Sequence, residues 1–332
     1  MTSKRLLTLI ERFSKVRLTV AGDLVADEFI YGQIDRVSRE APVLILKYDS
    51  TEIVPGGAGN AANNASALGA RVSILGVVGR DSAGDRLLQV LSKKADVKGV
   101  VRAGKVVTPV KTRILAGGVH SAKQQVVRID RAGRDIPSRA VLDVEVALAR
   151  SLKTSHAIIL SDYGAGLITP GIWRRAIATA GVKKLPIVLV DSRYSLTGFS
   201  DITACTPNES EAEALLGVRI GDDAQALERA GRTLLDRLRC RAVLITRGSR
   251  GMALFEPGRP TDHVPIVGSD QIADVTGAGD TVIATFALSL ASGASFAEAA
   301  RLANYAGGIV VMKRGTATIS RDELREAIAS GA

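Results

Sequence analysis

Asp274-Val275-Thr276-Gly277-Ala278-Gly279-Asp280-Thr281 stands directly before Val282 to Leu290, an apolar run rich in helix formers. Gly277 to Gly279 predict a tight turn into a helix whose first backbone N–H groups are left without partners. Those donors and the positive end of the helix dipole make an anion site. Asp280 at its mouth adds a carboxylate able to take a proton from an attacking hydroxyl. The combination is what phosphoryl transfer needs, although glycine turns and acidic caps also open ordinary helices, so the rest of the chain has to decide.

Working outward from that stretch, short runs of Val, Ile and Leu recur between helical segments, the pattern of a parallel sheet covered on both faces. Core strands are predicted at residues 17–22, 72–78, 157–161, 187–190, 202–206 and 242–246. Each ends on something polar: Asp23, Gly79-Arg80, Asp162, Asp191, Asn208 and Arg247-Gly248. In an open α/β sheet the ligand crevice lies at the carboxyl ends of the strands, so these endings would line a single cleft. Residues 29–51 and 106–130 break the rhythm with strand-like alternation and little helical periodicity. They predict a small separate sheet that closes over the cleft or pairs with a second subunit; the alternative is a set of edge hairpins on the main sheet. With no internal repeat or Pro-rich linker, one α/β domain over residues 1–332 with a lid inserted in it is preferred to two domains.

The bulk composition narrows the function classes. A 46% hydrophobic content in 332 residues is ample for a sizeable core. Cys205 and Cys240 lack CxxC spacing, which favours a reducing compartment and a cytoplasmic location. Residues 1–17 mix Lys4, Arg5, Glu11, Arg12, Lys15 and Arg17 with leucines, an amphipathic helix and not a signal peptide. No segment approaches the roughly 20 apolar residues that span a bilayer, so no membrane partner is expected. The net charge of +10 invites a nucleic-acid reading, but aromatics are 4% and no basic run is interleaved with stacking residues. Arg80, Arg193 and Arg247, each after a strand-like run, would serve a phosphorylated small molecule equally well. His120, His156 and His263 have no ligand spacing.

A second glycine-rich element runs Pro55-Gly56-Gly57-Ala58-Gly59-Asn60-Ala61-Ala62-Asn63-Asn64-Ala65-Ser66-Ala67-Leu68-Gly69. Its small residues predict a slim helix that lets backbone approach a ligand, with Gly69 as the stop. Asn60 and Asn64 would lie one turn apart, in reach of sugar hydroxyls. Gly57-x-Gly59-x-x-Ala62 fits the loose dinucleotide fingerprint but lacks a clear preceding strand and an acidic ribose ligand. No GxxxxGK[ST] loop is present, which argues against a P-loop enzyme.

Together, Gly-Gly-x-Gly-Asn-x-Ala and Asp-x-Thr-Gly-Ala-Gly-Asp resemble the ribokinase-like (PfkB) family of sugar and nucleoside kinases. Gly22-Asp23, Ser38-Arg39-Glu40-Ala41-Pro42, Gln124 to Asp130, Leu160-Ser161-Asp162-Tyr163 and Thr206-Pro207-Asn208-Glu209-Ser210-Glu211 narrow the resemblance to the heptose 7-phosphate kinases of lipopolysaccharide-core biosynthesis, from about Arg17 to the C-terminus. In some of those proteins a nucleotidyltransferase domain follows the kinase, and this chain resembles the stand-alone form. The resemblance implies a three-layer αβα fold with a mainly parallel sheet and a β-sheet lid. It also implies ATP- and Mg²⁺-dependent phosphorylation of D-glycero-D-manno-heptose 7-phosphate at C1, and a homodimer formed through the lid.

The same resemblance implies roles residue by residue. Asp280 would be the base, and Gly277, Ala278 and Gly279 would stabilise the transferring phosphoryl. Asp23, Gly57, Asn60, Arg128 and Asp162 would contact the sugar, with Arg39, Arg80, Lys123 and Arg128 as candidates for the 7-phosphate. Asn208 and Glu211 would act on Mg²⁺ through its waters, though the same Asn-x-x-Glu is also an ordinary acidic helix start. Ser192, Thr246, Arg247, Gly248 and Asn304 would surround the nucleotide. A monovalent cation such as K⁺, bound by backbone carbonyls near Asp274 and Thr276, would complete the site. Two departures stand out: Gly164-Ala165-Gly166 where relatives are expected to carry a lysine, and Asp191-Ser192-Arg193 where Asp-Pro-Lys is expected. A kinase for another sugar, and a non-catalytic sugar-phosphate sensor on the same fold, are the competing readings.

Overall fold

The computed structural model describes residues 2–117, 123–133, 136–267, 274–313 and 315–331. In chain order the elements begin with α1 (Ser3–Glu11), β1 (Arg17–Gly22), β2 (Leu24–Val37), β3 (Leu44–Gly57), α2 (Ala58–Ala67), β4 (Arg71–Gly79), α3 (Ser82–Leu91) and β5 (Asp96–Ala103). They continue with β6 (Val110–Gly117), β7 (Gln124–Arg131), α4 (Ser138–Thr154), β8 (Ala157–Asp162), α5 (Pro170–Ala180), β9 (Ile187–Ser192), β10 (Ala204–Cys205), α6 (Glu209–Leu216) and α7 (Ala224–Leu238). The last are β11 (Ala242–Thr246), β12 (Met252–Phe255), β13 (Asp262–Val264), α8 (Ala278–Ala291), α9 (Phe296–Val311) and α10 (Arg321–Ser330).

The main sheet has nine strands in the order β13-β12-β11-β10-β9-β8-β1-β4-β5. It is parallel from β11 to β5, with β12 and β13 antiparallel at one edge. Successive side chains on a strand point to opposite faces, so Val20 and Ala21 of β1 enter two separate cores. One core is closed by α1, α2, α8, α9 and α10 through residues such as Leu9, Ala61, Phe286, Leu302 and Leu324. The other is closed by α4, α5 and α7 through Leu148, Trp173 and Leu234. This is the expected three-layer αβα arrangement, and the strand order reverses at β1, which sets a crevice at its carboxyl end.

A second sheet, in the order β3-β2-β6-β7, forms the lid. Its strands are longer than the alternation at 29–51 suggests, because β2 continues from β1 after Asp23 and pairs all the way from Leu24↔Gly57 to Val37↔Leu44. The second lid segment yields β6 and β7; residues 118–122, including His120, lie outside the described residues. β10 is shorter than 202–206, and β5, β12 and β13 are strands that the sequence pattern did not single out. β5 is a partly exposed edge strand interrupted by Lys98, Gly99 and Arg102, so its hydrophobic signal is diluted. Among the described residues no helix is long and apolar enough to cross a membrane.

Candidate active site

The two glycine-rich motifs meet at the carboxyl edge of the sheet. Gly277 caps α8 with a φ of 80°, a conformation glycine adopts without strain. A Cβ there would also collide with the side-chain amide of Asn60. Gly57 caps α2 with a φ of 58°, where a Cβ would stand 2.6 Å from the Asp23 carbonyl oxygen. Both glycines are therefore what lets α2, α8 and the end of β1 converge.

Asp280 lies in the first turn of α8, 5% exposed. The Asn60 amide donates to its Oδ2 across 2.8 Å, and the Tyr163 hydroxyl lies 3.1 Å from its Oδ1. Asn60 is itself held: Asn64 donates to its Oδ1 at 3.1 Å, and Thr281 Oγ1 donates to Asn64 Oδ1 at 3.0 Å. The predicted reach of Asn64 to sugar hydroxyls is thus replaced by a buried relay that braces Asn60. Burial pushes the Asp280 carboxyl up to about 6, against the lowering effect of the Asn60 and Tyr163 hydrogen bonds; Asp27 adds to the rise and Arg193 opposes it. A carboxylate so poised can accept a proton near neutral pH.

Around Asp280 is a cleft of about 330 Å³. It brings together Gly57, Arg128, Asn208, Glu211, Thr246, Gly277 and Gly279 from the sequence-derived set, with Thr276 at its edge. On one side it adjoins a mostly apolar cavity of about 390 Å³ that includes Gly248, Ala278 and Asn304. On the lid side a larger cavity of about 940 Å³ takes in Lys123 and Asp274 beneath Phe29 and Tyr31. Asn208 and Glu211 form a capping box on α6, each bonding the other's backbone N–H at 2.9 Å, so the helix-start and site readings hold together.

Other candidates are placed elsewhere, each for a visible reason. Asp23 is not among the residues lining the cleft; its Oδ2 accepts from the backbone N–H groups of Tyr163 and Ala165, at 2.8 and 3.0 Å, while its buried Oδ1 has no partner among the described residues. Asp162 is buried and accepts from Ser192 Oγ at 2.7 Å, Ser195 Oγ at 2.6 Å and Gly164 N–H at 2.9 Å, which occupies both Asp162 and Ser192 in bracing the ends of β8 and β9. Arg247 pairs with Glu209 at 2.8 Å and donates to the Gly221 carbonyl, and it does not line the cleft around Asp280. Arg39 is exposed on the turn between β2 and β3, and Arg80 is exposed and reaches only toward the Arg102 carbonyl.

A profile of the pfkB family of carbohydrate kinases matches residues 24–323. The chain belongs to that family. It is accordingly a phosphotransferase with an alcohol acceptor. The bifunctional protein HldE of Geobacter metallireducens is 41% identical over 326 residues, which cover 98% of this chain. HldE of Caulobacter vibrioides is 38% identical over 313 residues, 94% of this chain. The kinase spans 65% and 63% of the lengths of those two relatives. Among solved structures, phosphofructokinase-2 from Escherichia coli in complex with fructose-6-phosphate superposes with a TM-score of 0.77 at 19% identity, covering 95% of this chain and 99% of that one. Arabidopsis thaliana ribokinase complexed with ribose and ATP gives 0.69 at 19% identity, covering 94% and 98%. The fold is ribokinase-like.

The cleft of this kinase also contains Asp27, Lys111 and Arg113, to which sequence reasoning assigned no role, alongside Asp191 and Arg193, which it did place at strand ends facing a ligand. Asp27 of β2 pairs with Arg113 of β6 at 2.5 Å, both nearly buried. Lys111 of β6 faces the Tyr163 ring, as does Arg193 after β9. The signal for Asp27 was present but indirect: a carboxylate four residues beyond Asp23, inside an apolar stretch of a strand that runs from the main sheet into the lid. Asp191, at the end of β9, lines the same cleft, and burial together with Asp280 and Glu211 pushes its carboxyl up to about 8. Such a gathering of oxygen donors fits a hydrated divalent cation. Among the described residues no cluster of three or more acidic, His or Cys side chains stands close enough to grip a metal directly.

Proposed function

We propose that this kinase transfers the γ-phosphoryl group of ATP to the C1 hydroxyl of D-glycero-D-manno-heptose 7-phosphate, giving the 1,7-bisphosphate used in ADP-heptose and lipopolysaccharide-core synthesis. The observation that carries the reading is the buried Asp280 carboxylate, fixed by Asn60 at the start of α8 and open to a cleft that holds Lys111, Arg113, Arg128 and Arg193 beside the carboxylates of Asp27, Asp191 and Glu211. Similarity to proteins named HldE along nearly the whole chain supports the heptose substrate.

Bound ATP with its Mg²⁺ supplies the phosphoryl group and part of the charge neutralisation. The rest is the work of the chain. Asp280 takes the proton from the acceptor hydroxyl, while the first-turn N–H groups of Gly279 and Asp280 face the charge that builds on the phosphoryl oxygens. Asn208, Glu211 and Asp191 would hold a hydrated divalent cation, which would neutralise phosphate charge. The apolar cavity beside Gly248, Val282 and Asn304 takes the adenine. Asp27 and Gly57 meet the sugar hydroxyls, and Arg128 and Lys111 lie on the lid where an acceptor's own phosphate would be met. A monovalent cation bound by carbonyls near Asp274 and Thr276 would brace the turn into α8.

The lid leaves Val37, Leu44, Tyr48, Val127 and Ile129 exposed, apolar surface suited to a second copy of the chain and to the homodimer proposed here. The test of substrate is ADP release with ATP and Mg²⁺ across heptose 7-phosphate, fructose 6-phosphate, ribose and adenosine. Turnover confined to heptose 7-phosphate supports the reading; preference for another acceptor replaces the substrate and keeps the kinase.

A further inference from the structure

Among the described residues two side-chain donors reach Asp280, and one of them, Asn60, comes from the glycine-rich motifs. The other is Tyr163, in the turn after β8, whose hydroxyl lies 3.1 Å from Oδ1. Burial and the nearby Asp280 carboxylate raise the phenol well above its ordinary range, so it stays protonated. An ionised carboxylate only accepts, so the phenol donates. Asn60 on Oδ2 and Tyr163 on Oδ1 then fix the carboxylate plane from both ends, and each oxygen keeps a lone pair for an incoming hydroxyl.

The ring has little freedom to swing away. Its backbone N–H is tied to Asp23 Oδ2 at 2.8 Å. The Arg193 guanidinium lies 4.7 Å from the ring centroid and Lys111 of the lid 5.6 Å from it, within cation–π range. Neither cation has a carboxylate within ion-pair distance among the described residues. The charged or polar groups facing Asp280 are therefore Asn60 from α2, Asp27 from β2, Tyr163 after β8, and Asp191 and Arg193 at the end of β9.

We infer that Tyr163 is a positioning residue for the catalytic base: its phenol orients Asp280 Oδ1 toward the acceptor hydroxyl, and Asp23 acts on catalysis by holding Tyr163. The inference rests on the reading of Asp280 as the base. A hydrogen bond to an ionised group is among the stronger ones in a protein, and losing it leaves the carboxylate both less aligned and easier to protonate.

The test is a double-mutant cycle with pH profiles, using Tyr163→Phe, Asp280→Asn and the pair. Tyr163→Phe is expected to lower kcat about 10-fold or more, to leave KM for ATP unchanged, and to move the acid limb of the profile up by about one unit. On the Asp280→Asn background it is expected to do nothing further to kcat, since the base that Tyr163 orients is already gone. If the phenylalanine variant folds poorly, 3-fluorotyrosine at position 163 keeps the ring's shape while strengthening its donor, and should move the acid limb down. Wild-type kcat and profile in Tyr163→Phe, fully additive losses in the pair, or no shift with fluorotyrosine would each overturn the inference. Full turnover by Asp280→Asn would instead remove the base, and this inference with it.

Discussion

Asn60, in the first turn of α2, donates its side-chain amide to Asp280 Oδ2, in the first turn of α8, across 2.8 Å. The contact joins two motifs 220 residues apart in sequence into one site, and Gly277 is the residue that leaves room for it. Asn60→Ala strips Oδ2 of its donor. The expected result is a loss of about 10–100-fold in kcat, an acid limb shifted upward, and little change in KM for ATP. Steady-state kinetics over a pH series check this, and an unchanged kcat would reduce the contact to packing.

The elevated carboxyl of Asp280 gives activity and stability opposite dependences on pH. As a base it works ionised, so turnover should fall as pH drops through about 6. In folding, the native chain holds its proton more tightly than the unfolded chain between the ordinary 3.8 and about 6. Stability from this group therefore declines as pH rises through that window and stays low above it. Asp280→Asn removes the buried charge and should raise the unfolding free energy by about 1–3 kcal/mol at pH 8, with a smaller gain at pH 5, while turnover falls by ~10²-fold or more. Denaturant titrations at the two pH values measure it; a variant destabilised at both would contradict the assignment of a strained, buried base.

Asp27 and Arg113 tie the two halves of the lid together beside the cleft, at 2.5 Å and with side-chain exposures of 7% and 12%. Removing one partner strands the other, at a cost of about 3–5 kcal/mol. Arg113→Met should lower the midpoint of thermal unfolding and weaken acceptor binding, and Asp27→Asn combined with it should recover much of the stability but not the binding. Calorimetry on the single and double variants, read beside KM for the acceptor, separates the structural role of the pair from its part in recognition.

The strands that build the parallel centre of the sheet were legible because each is buried on both faces and reads as an uninterrupted apolar run, as in β1, β8 and β11. The turn into α8 was legible for a different reason: three small residues before a long apolar helix have few other uses. What escaped was set by tertiary geometry. Asp23 and Asp27 both follow β1, and only the pairing of β2 with β3 decides that Asp27 enters the cleft while Asp23 turns to the backbone of Tyr163. Arg247 and Arg80 looked like anion ligands after strand ends, but local partners, Glu209 and the Arg102 carbonyl, hold them elsewhere. Tyr163 stood out only as part of Leu160-Ser161-Asp162-Tyr163, and a tyrosine after a strand gives no hint of the carboxylate it meets from α8.

The paired lid positions Val37 and Leu44 are 59% and 45% exposed. If the lid is the surface between two copies, Val37→Asp with Leu44→Asp should convert a dimer to a monomer in sedimentation equilibrium while the main sheet stays folded by circular dichroism. A monomeric wild-type chain at micromolar concentration would rule that interface out.

In the proposed reaction Asp280 is the base, and a phosphoryl group passes to C1 of a heptose that already carries one. Phosphorus NMR of the reaction with ATP, Mg²⁺ and D-glycero-D-manno-heptose 7-phosphate tests it most directly. The expected result is a new phosphomonoester signal split by the anomeric proton, growing in step with ADP beside the retained 7-phosphate, and absent with Asp280→Asn. ADP formation without an anomeric phosphate, or the same signal at full rate from the Asn variant, would contradict it.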